Sequence, residues 1–286
     1  MKLALKVDVA TLKGTRVGVP ALVDVLQRQG VNATFFFTFG PDPGSRVLRR
    51  VWPAMDIGRR ARATLSSVAE AGFETGVRGH DASRWIAEVA EADATWTAAA
   101  MQRAIDRYRD AFGEAPRTHA AAAWQMSRHA LRFSQRLGFD YASDGRGVGP
   151  HLPVWNGELV RCVQLPTTLP TLDELASAWH VADEGLANEM LAFTAQSSGD
   201  HVFSLRAEVE GIAMLATFEQ LVMGWKAQGY EVVALRTLYE SLDSATLPRS
   251  EVGIGTVPGR RETLFVQGNE FLADVAIPHD VLEEVT

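Results

Sequence analysis

Short apolar runs alternate with stretches of helical period from residue 3 to about residue 242, and this alternation is what most constrains the fold. Residues 3–9 (LALKVDV) predict a buried strand. A helix follows with Val19, Leu22, Val23, Val25 and Leu26 on its apolar face, and it stops at Gly30. Residues 33–39 (ATFFFTF) predict a second strand, closed by Gly40-Pro41; its successive phenylalanines suit a strand buried on both faces. Helical patterns are expected over 58–71, 93–112, 127–137, 183–196 and 214–228, with a short helix running to Leu242. Strands are expected over 73–77, 117–121, 139–142, 159–165, 201–205 and 231–234. In 93–112, Trp96, Met101, Ala104, Ile105 and Tyr108 recur at helical spacing.

Strands that alternate with helices imply parallel pairing through right-handed crossovers. A count of about seven or eight strands favours a distorted (β/α) barrel, an α/β fold, over an open dinucleotide-binding sheet. No GxGxxG follows the first strand and no GxxxxGK[ST] occurs, so neither phosphate cradle is present. GxSxG is also absent, which removes the serine-hydrolase signature. Beyond Ser244 the helical period is lost and glycines and prolines accumulate. Residues 1–243 therefore read as the barrel. Residues 244–286 read as an extension that packs on the barrel or on a partner, with two short strands around 264–266 and 272–277.

The chain has 286 residues and a formal net charge of −7, which argues against a nucleic-acid partner. The lone Cys162 reads as a buried apolar thiol. No apolar stretch approaches the ~18 residues of a membrane span and no secretory leader is evident, so the expected compartment is the cytoplasm, with peripheral contact with the inner membrane left open. The oligomeric state is not legible.

In a (β/α) barrel the reactive side chains lie just past the C-terminal ends of the strands. Those positions hold Asp8 and Ala10; Arg78, His80 and Asp81; Trp124 and Gln125; Asp144 and Arg146; Thr167 and Thr168; and Arg206, Glu208 and Glu210. This charged, mixed set suits an anionic or sugar-like ligand. Asp8 is the catalytic candidate, or else a strand-end cap. Trp124 is a platform for a sugar face, or else core. Asp144 and Arg146 could hold a substrate phosphate, or only shape a turn. Glu208 is preferred to Glu210 as a ligand contact. His119, His129, His151, His180, His201 and His279 lack ligand spacing and read as surface or packing residues.

The segments VDVATLKGTRVGVP, ATFFFTFGPD, GFETGVRGHDASRW, HAAAAWQ, GFDYASDGRG, LPTTLPTLDE and LRAEVEG occur in that order between residue 7 and about residue 242. Together they resemble the polysaccharide deacetylase, or NodB-homology, family. They are most like the branch that deformylates 4-deoxy-4-formamido-L-arabinose-phosphoundecaprenol. The resemblance implies a distorted (β/α) barrel, hydrolysis of an amide (a nonpeptide C–N bond) on a lipid-linked amino sugar, a divalent metal (usually zinc) on an Asp-His-His triad, a second Asp as base and a late His as acid. The chain departs from that pattern where the chemistry lies. Ala10 stands in place of a carboxylate; Arg78 and Ala82 in place of the two metal histidines; Gln125 in place of an arginine; and Arg206 in place of the late histidine. The stretch between Asp42 and Asp56 is also shorter than in the family.

A catalytic zinc needs about three protein ligands. Asp8, even with His80, falls short, and Arg78 would repel a dication, so no metal or other cofactor is expected. Arg78 and Arg206 are expected to face Asp8 and to close the vacated site by pairing with Asp8, Glu208 or Asp144. Two functions follow: a sugar N-deacylase whose metal-dependent activity is weak or lost, with catalysis rebuilt around Asp8, His80 and the arginines, or a non-catalytic protein that binds an anionic sugar or glycolipid.

Overall fold

The first strand is the hub of the molecule. In the computed structural model, which describes residues 1–43 and 56–272, β1 (Lys2–Val9) is paired along both edges. On one edge β9 (His201–Arg206) runs parallel to it, from Leu3 opposite His201 to Asp8 opposite Arg206. The other edge is shared: β10 (Glu231–Ala234) takes Lys2 to Leu5, and β2 (Thr34–Thr38) takes Lys6 to Val9. Beyond β2 the sheet continues through β3 (Glu74–Gly79), β4 (Thr118–His119), β5 (Tyr141–Ala142) and β8 (Val163–Gln164), every pair parallel. The sheet curls into a half-barrel. The chain just past β8 reaches β9, where Thr168 and Leu169 both donate their backbone N–H to the Val202 carbonyl, at 3.1 and 3.2 Å.

The two-residue period of β1 divides its side chains between two cores. Leu3, Leu5, Val7 and Val9 join the apolar layer under the helices, whereas Ala4 joins Phe36, Ala120, Tyr141, Leu165 and Val202 inside the sheet's curl. Lys6 and Asp8 share the parity of Ala4 and so face inward. Phe36 fills the middle of that interior because Gly76 leaves room: a Cβ there would lie 2.5 Å from the Phe36 ring.

The outer layer is α1 (Val19–Gln29), α2 (Ile57–Arg60), α3 (Arg62–Glu70), α4 (Ala82–Glu88), α5 (Ala94–Phe112), α6 (Arg128–Arg136), α7 (Leu172–Trp179), α8 (Leu186–Ala195), α9 (Leu215–Ala227) and α10 (Leu235–Glu240). The signals that start and stop α5 are explicit. The Asp93 carboxylate caps the Trp96 N–H at 2.7 Å, Thr97, Met101, Ala104, Ile105 and Tyr108 form the buried face, and Gly113 ends the helix at φ 80°.

Several elements depart from the sequence reading. The strand expected over 159–165 is two short pieces, β7 (Glu158–Leu159) and β8, and the strand expected over 117–121 contracts to β4. β6 (Leu152–Trp155) pairs antiparallel with β7 across Asn156-Gly157, both at positive φ, the backbone of a primed hairpin turn. After residue 244, β11 (Arg249–Gly255) pairs parallel with β6 and antiparallel with β12 (Leu264–Glu270), giving a second sheet in the order β12-β11-β6-β7. The strand expected around 264–266 falls within β12. The one around 272–277, like the stretch between Asp42 and Asp56, lies almost wholly outside the described residues.

Candidate functional site

Asp8 is the penultimate residue of β1 and is only 5% exposed. Its carboxylate lies between two cations, with Oδ2 4.0 Å from Lys6 Nζ and Oδ1 3.6 Å from Arg78 Nε. Ser204 Oγ donates to Oδ2 at a long 3.5 Å. Arg78 comes from β3, is buried, and donates through Nη1 to Thr38 Oγ1 at 3.2 Å. Lys6 is fully buried and donates to the Ser143 carbonyl at 2.8 Å. Burial pushes the Lys6 pKa down; Asp8 and Asp144 pull it back up, and Arg78 and Arg146 oppose them. Lys6 is a site residue that sequence reasoning missed, because a lysine in an apolar run reads as an exposed strand position.

Trp124 covers this cluster. It follows Ala123, and both hold left-handed backbone, at φ 53° and 52°, a conformation that costs about 1–3 kcal/mol per non-glycine residue. The bend presents one indole to three cations: Lys6 Nζ at 5.4 Å, Arg146 at 5.0 Å and Arg260 at 4.7 Å from the ring centroid. The indole Nε1 donates to Thr167 Oγ1 at 3.2 Å, and the residue is 6% exposed. Gln125 donates to the Thr263 carbonyl at 2.6 Å, and its own carbonyl accepts from Trp85 Nε1. The connection between β11 and β12 thus reaches the barrel mouth through Arg260 and Thr263.

Arg146 spends its donors inside the protein, on Glu174 Oε1 at 2.6 Å and on the carbonyls of Leu169 and Thr167. Arg260 shares that carboxylate at 2.5 Å and also reaches Asp173. Arg206, half exposed, pairs with Asp173 at 3.2 Å and not with Asp8. Glu208 Oε1 accepts from the backbone N–H of Ala10 and Thr11 and from the Thr11 hydroxyl, at 2.8, 2.7 and 3.0 Å. It therefore ties down the turn after β1. Glu210 is buried, accepts from the Arg206 N–H and has its pKa raised by burial. Asp144, completely buried, bonds His119 Nδ1 at 2.6 Å and Gln164. Ala82 opens α4, capped by Asp81. Cys162 is buried, and burial pushes its thiol up to about 12, which keeps it protonated.

Beside the mouth runs a groove of about 460 Å³. Arg146 and Thr167 line its polar part, and Val148, Phe193, Val257 and Pro258 its apolar part.

The family model described as polysaccharide deacetylase matches residues 3–142. The probable 4-deoxy-4-formamido-L-arabinose-phosphoundecaprenol deformylase ArnD of Shewanella sediminis (strain HAW-EB3) is 30% identical over 274 residues, covering 85% of this chain and 87% of the relative. This chain belongs to the polysaccharide deacetylase family. The probable ArnD of Wigglesworthia glossinidia brevipalpis is 23% identical, over 86% of this chain and 96% of that protein. In fold, a candidate polysaccharide deacetylase from Mycobacterium smegmatis superposes with a TM-score of 0.68 at 16% identity, over 90% of this chain and 94% of that one. A CE4 family pseudoenzyme from Bacillus anthracis superposes with a TM-score of 0.56 at 12% identity, over 83% and 65%.

The donor set at the barrel mouth does not fit the metal that the family resemblance implies. Among the described residues no group of three or more His, Cys, Asp or Glu side chains could hold a metal ion. Asp8 already has a guanidinium and an ammonium beside it, and these would oppose a dication at the same carboxylate.

Proposed function

We propose that this family member binds an anionic or lipid-linked amino sugar and has weak or no metal-dependent N-deacylase activity. The observation that carries the reading is the Asp8 carboxylate between Lys6 and Arg78, with Ala10 and Ala82 offering no donor. A metal-activated water needs a Lewis acid that this set does not hold; Asp8 has two cations beside it instead, though its Oδ1 makes no hydrogen bond. The ligand class rests on the ArnD relatives, whose names specify a phosphoundecaprenol-linked sugar, and on the groove, whose lining mixes polar Arg146, Thr167 and Thr168 with apolar Val148, Phe193, Val257 and Pro258. Arg146 lines the groove itself, Trp124 stacks on Arg146, and Asp8, Asp144 and Glu208 support the barrel mouth beside it. Among the described residues no helix is long and apolar enough to cross a membrane. A lipid-linked ligand would therefore be met by peripheral contact with the inner membrane.

Two measurements on the full chain test this. Titration with zinc followed by calorimetry is expected to show no one-to-one micromolar site. Incubation with an N-formylated amino sugar, with and without zinc, is expected to release formate only at background. Stoichiometric zinc binding together with zinc-dependent formate release would overturn the proposal.

A further inference from the structure

A second cavity, of about 140 Å³, lies between α4 and α5 beside the loop that leaves β3. Trp96, Ala99, Ala100 and Arg103 form one stripe of α5 at helical spacing, and Arg84 and Trp85 of α4 face them. The two indoles are 6.0 Å apart and tilted by 34°, and the small side chains of Ala99 and Ala100 leave the space open. His80 and Asp81 line the same cavity; the His80 Nδ1 is buried against Gly40 without a hydrogen-bond partner. Among the described residues Arg103 makes no ion pair, and its charge reaches His80, where burial first and Arg103 second lower the imidazole pKa.

We infer that this cavity is a binding site for a small aromatic carboxylate, its ring against the indoles and its carboxylate toward Arg103. The lining decides the class. A pyranose would bring several hydroxyls, each needing a partner on desolvation. The cavity offers a mostly apolar wall, the guanidiniums of Arg84, which is paired with Glu88, and Arg103, and the Asp81 carboxylate, which already caps α4. A flat ring is satisfied by the indoles, and an anion by the Arg103 guanidinium, which makes no ion pair among the described residues. The site is separate from the Asp8 cluster and independent of the reading proposed for it.

Benzoate is the probe, titrated into the full chain by calorimetry and by NMR of the histidine side chains. The expected result is one saturable site with Kd below about 1 mM, an upward shift of the His80 pKa on binding, and at least roughly tenfold weaker binding of neutral benzamide. Arg103→Ala and Ala99→Leu, both at exposed positions, should leave the thermal midpoint unchanged and abolish saturation. Lack of saturation by benzoate, equal affinity for benzamide, or retained binding in both variants would each overturn the inference. So would saturable binding of glucuronate in place of benzoate.

Discussion

Replacing Asp8 by asparagine keeps the shape of the side chain and removes the carboxylate that lies between Lys6 and Arg78. At an effective dielectric near 20, the 4.0 Å approach to Lys6 is worth about 4 kcal/mol and the 3.6 Å approach to Arg78 about 5 kcal/mol. Part of that attraction offsets the desolvation of the carboxylate itself, which no longer applies once it is neutral. What remains is two buried cations, Lys6 fully and Arg78 almost fully out of water, with Asp144 the acid still acting on Lys6. Breaking a buried charge cluster in this way costs about 3–5 kcal/mol. For a domain of this size the thermal midpoint should drop by roughly 10 °C. Urea unfolding of wild type and Asp8→Asn measures the loss directly, and Asp8→Asn with Arg78→Met should recover a substantial part of it. An Asp8→Asn protein within about 1 kcal/mol of wild type, or more stable than it, would refute the view that Asp8 is the counter-ion of this pair.

Lys6 gives a pH signature. Its pKa is lowered in the fold, so below the folded value both states hold the proton and the full burial penalty is present. Between the folded value and 10.5 the unfolded chain binds more protons, and stability climbs with pH. Wild type should therefore gain on Lys6→Met as urea midpoints are taken from pH 7 to pH 10; parallel curves would contradict this. Restoring donors with Ala10→Asp, Arg78→His and Ala82→His should create one-to-one zinc binding, read by calorimetry, that wild type lacks. Ala123→Gly should stabilise by about 1 kcal/mol, read from urea midpoints, since glycine holds φ 52° without the Cβ penalty.

The barrel was legible because its strands and helices carry their own punctuation. The buried parity of β1, the phenylalanines of β2, and the Asp93 cap and Gly113 stop of α5 are local signals. Two missed elements also had signals: Asn156-Gly157 for the β6–β7 hairpin, and the Thr171/Glu174 capping box for α7. The candidate site was legible only in part. Arg78 faces Asp8, as its strand position indicates, but Arg206 turns to Asp173, which α7 brings to the mouth. Glu208 and Arg146 found partners in the turn after β1 and in Glu174, far along the chain. The burial of Lys6 depends on a carbonyl 137 residues away, so no local pattern could announce it.

The wiring of β1 sets an order of events during synthesis. Its partners β9 and β10 are separated from it by nearly the whole barrel. At ordinary ribosomal speed the nascent N-terminal strand waits on the order of 10–40 s before both edges can zip. Through that interval Leu3, Leu5 and Val7 depend on α1, β2 or a chaperone for shelter. A product truncated before His201 would keep a bare, apolar strand edge, the kind of template on which chains cross-pair and aggregate.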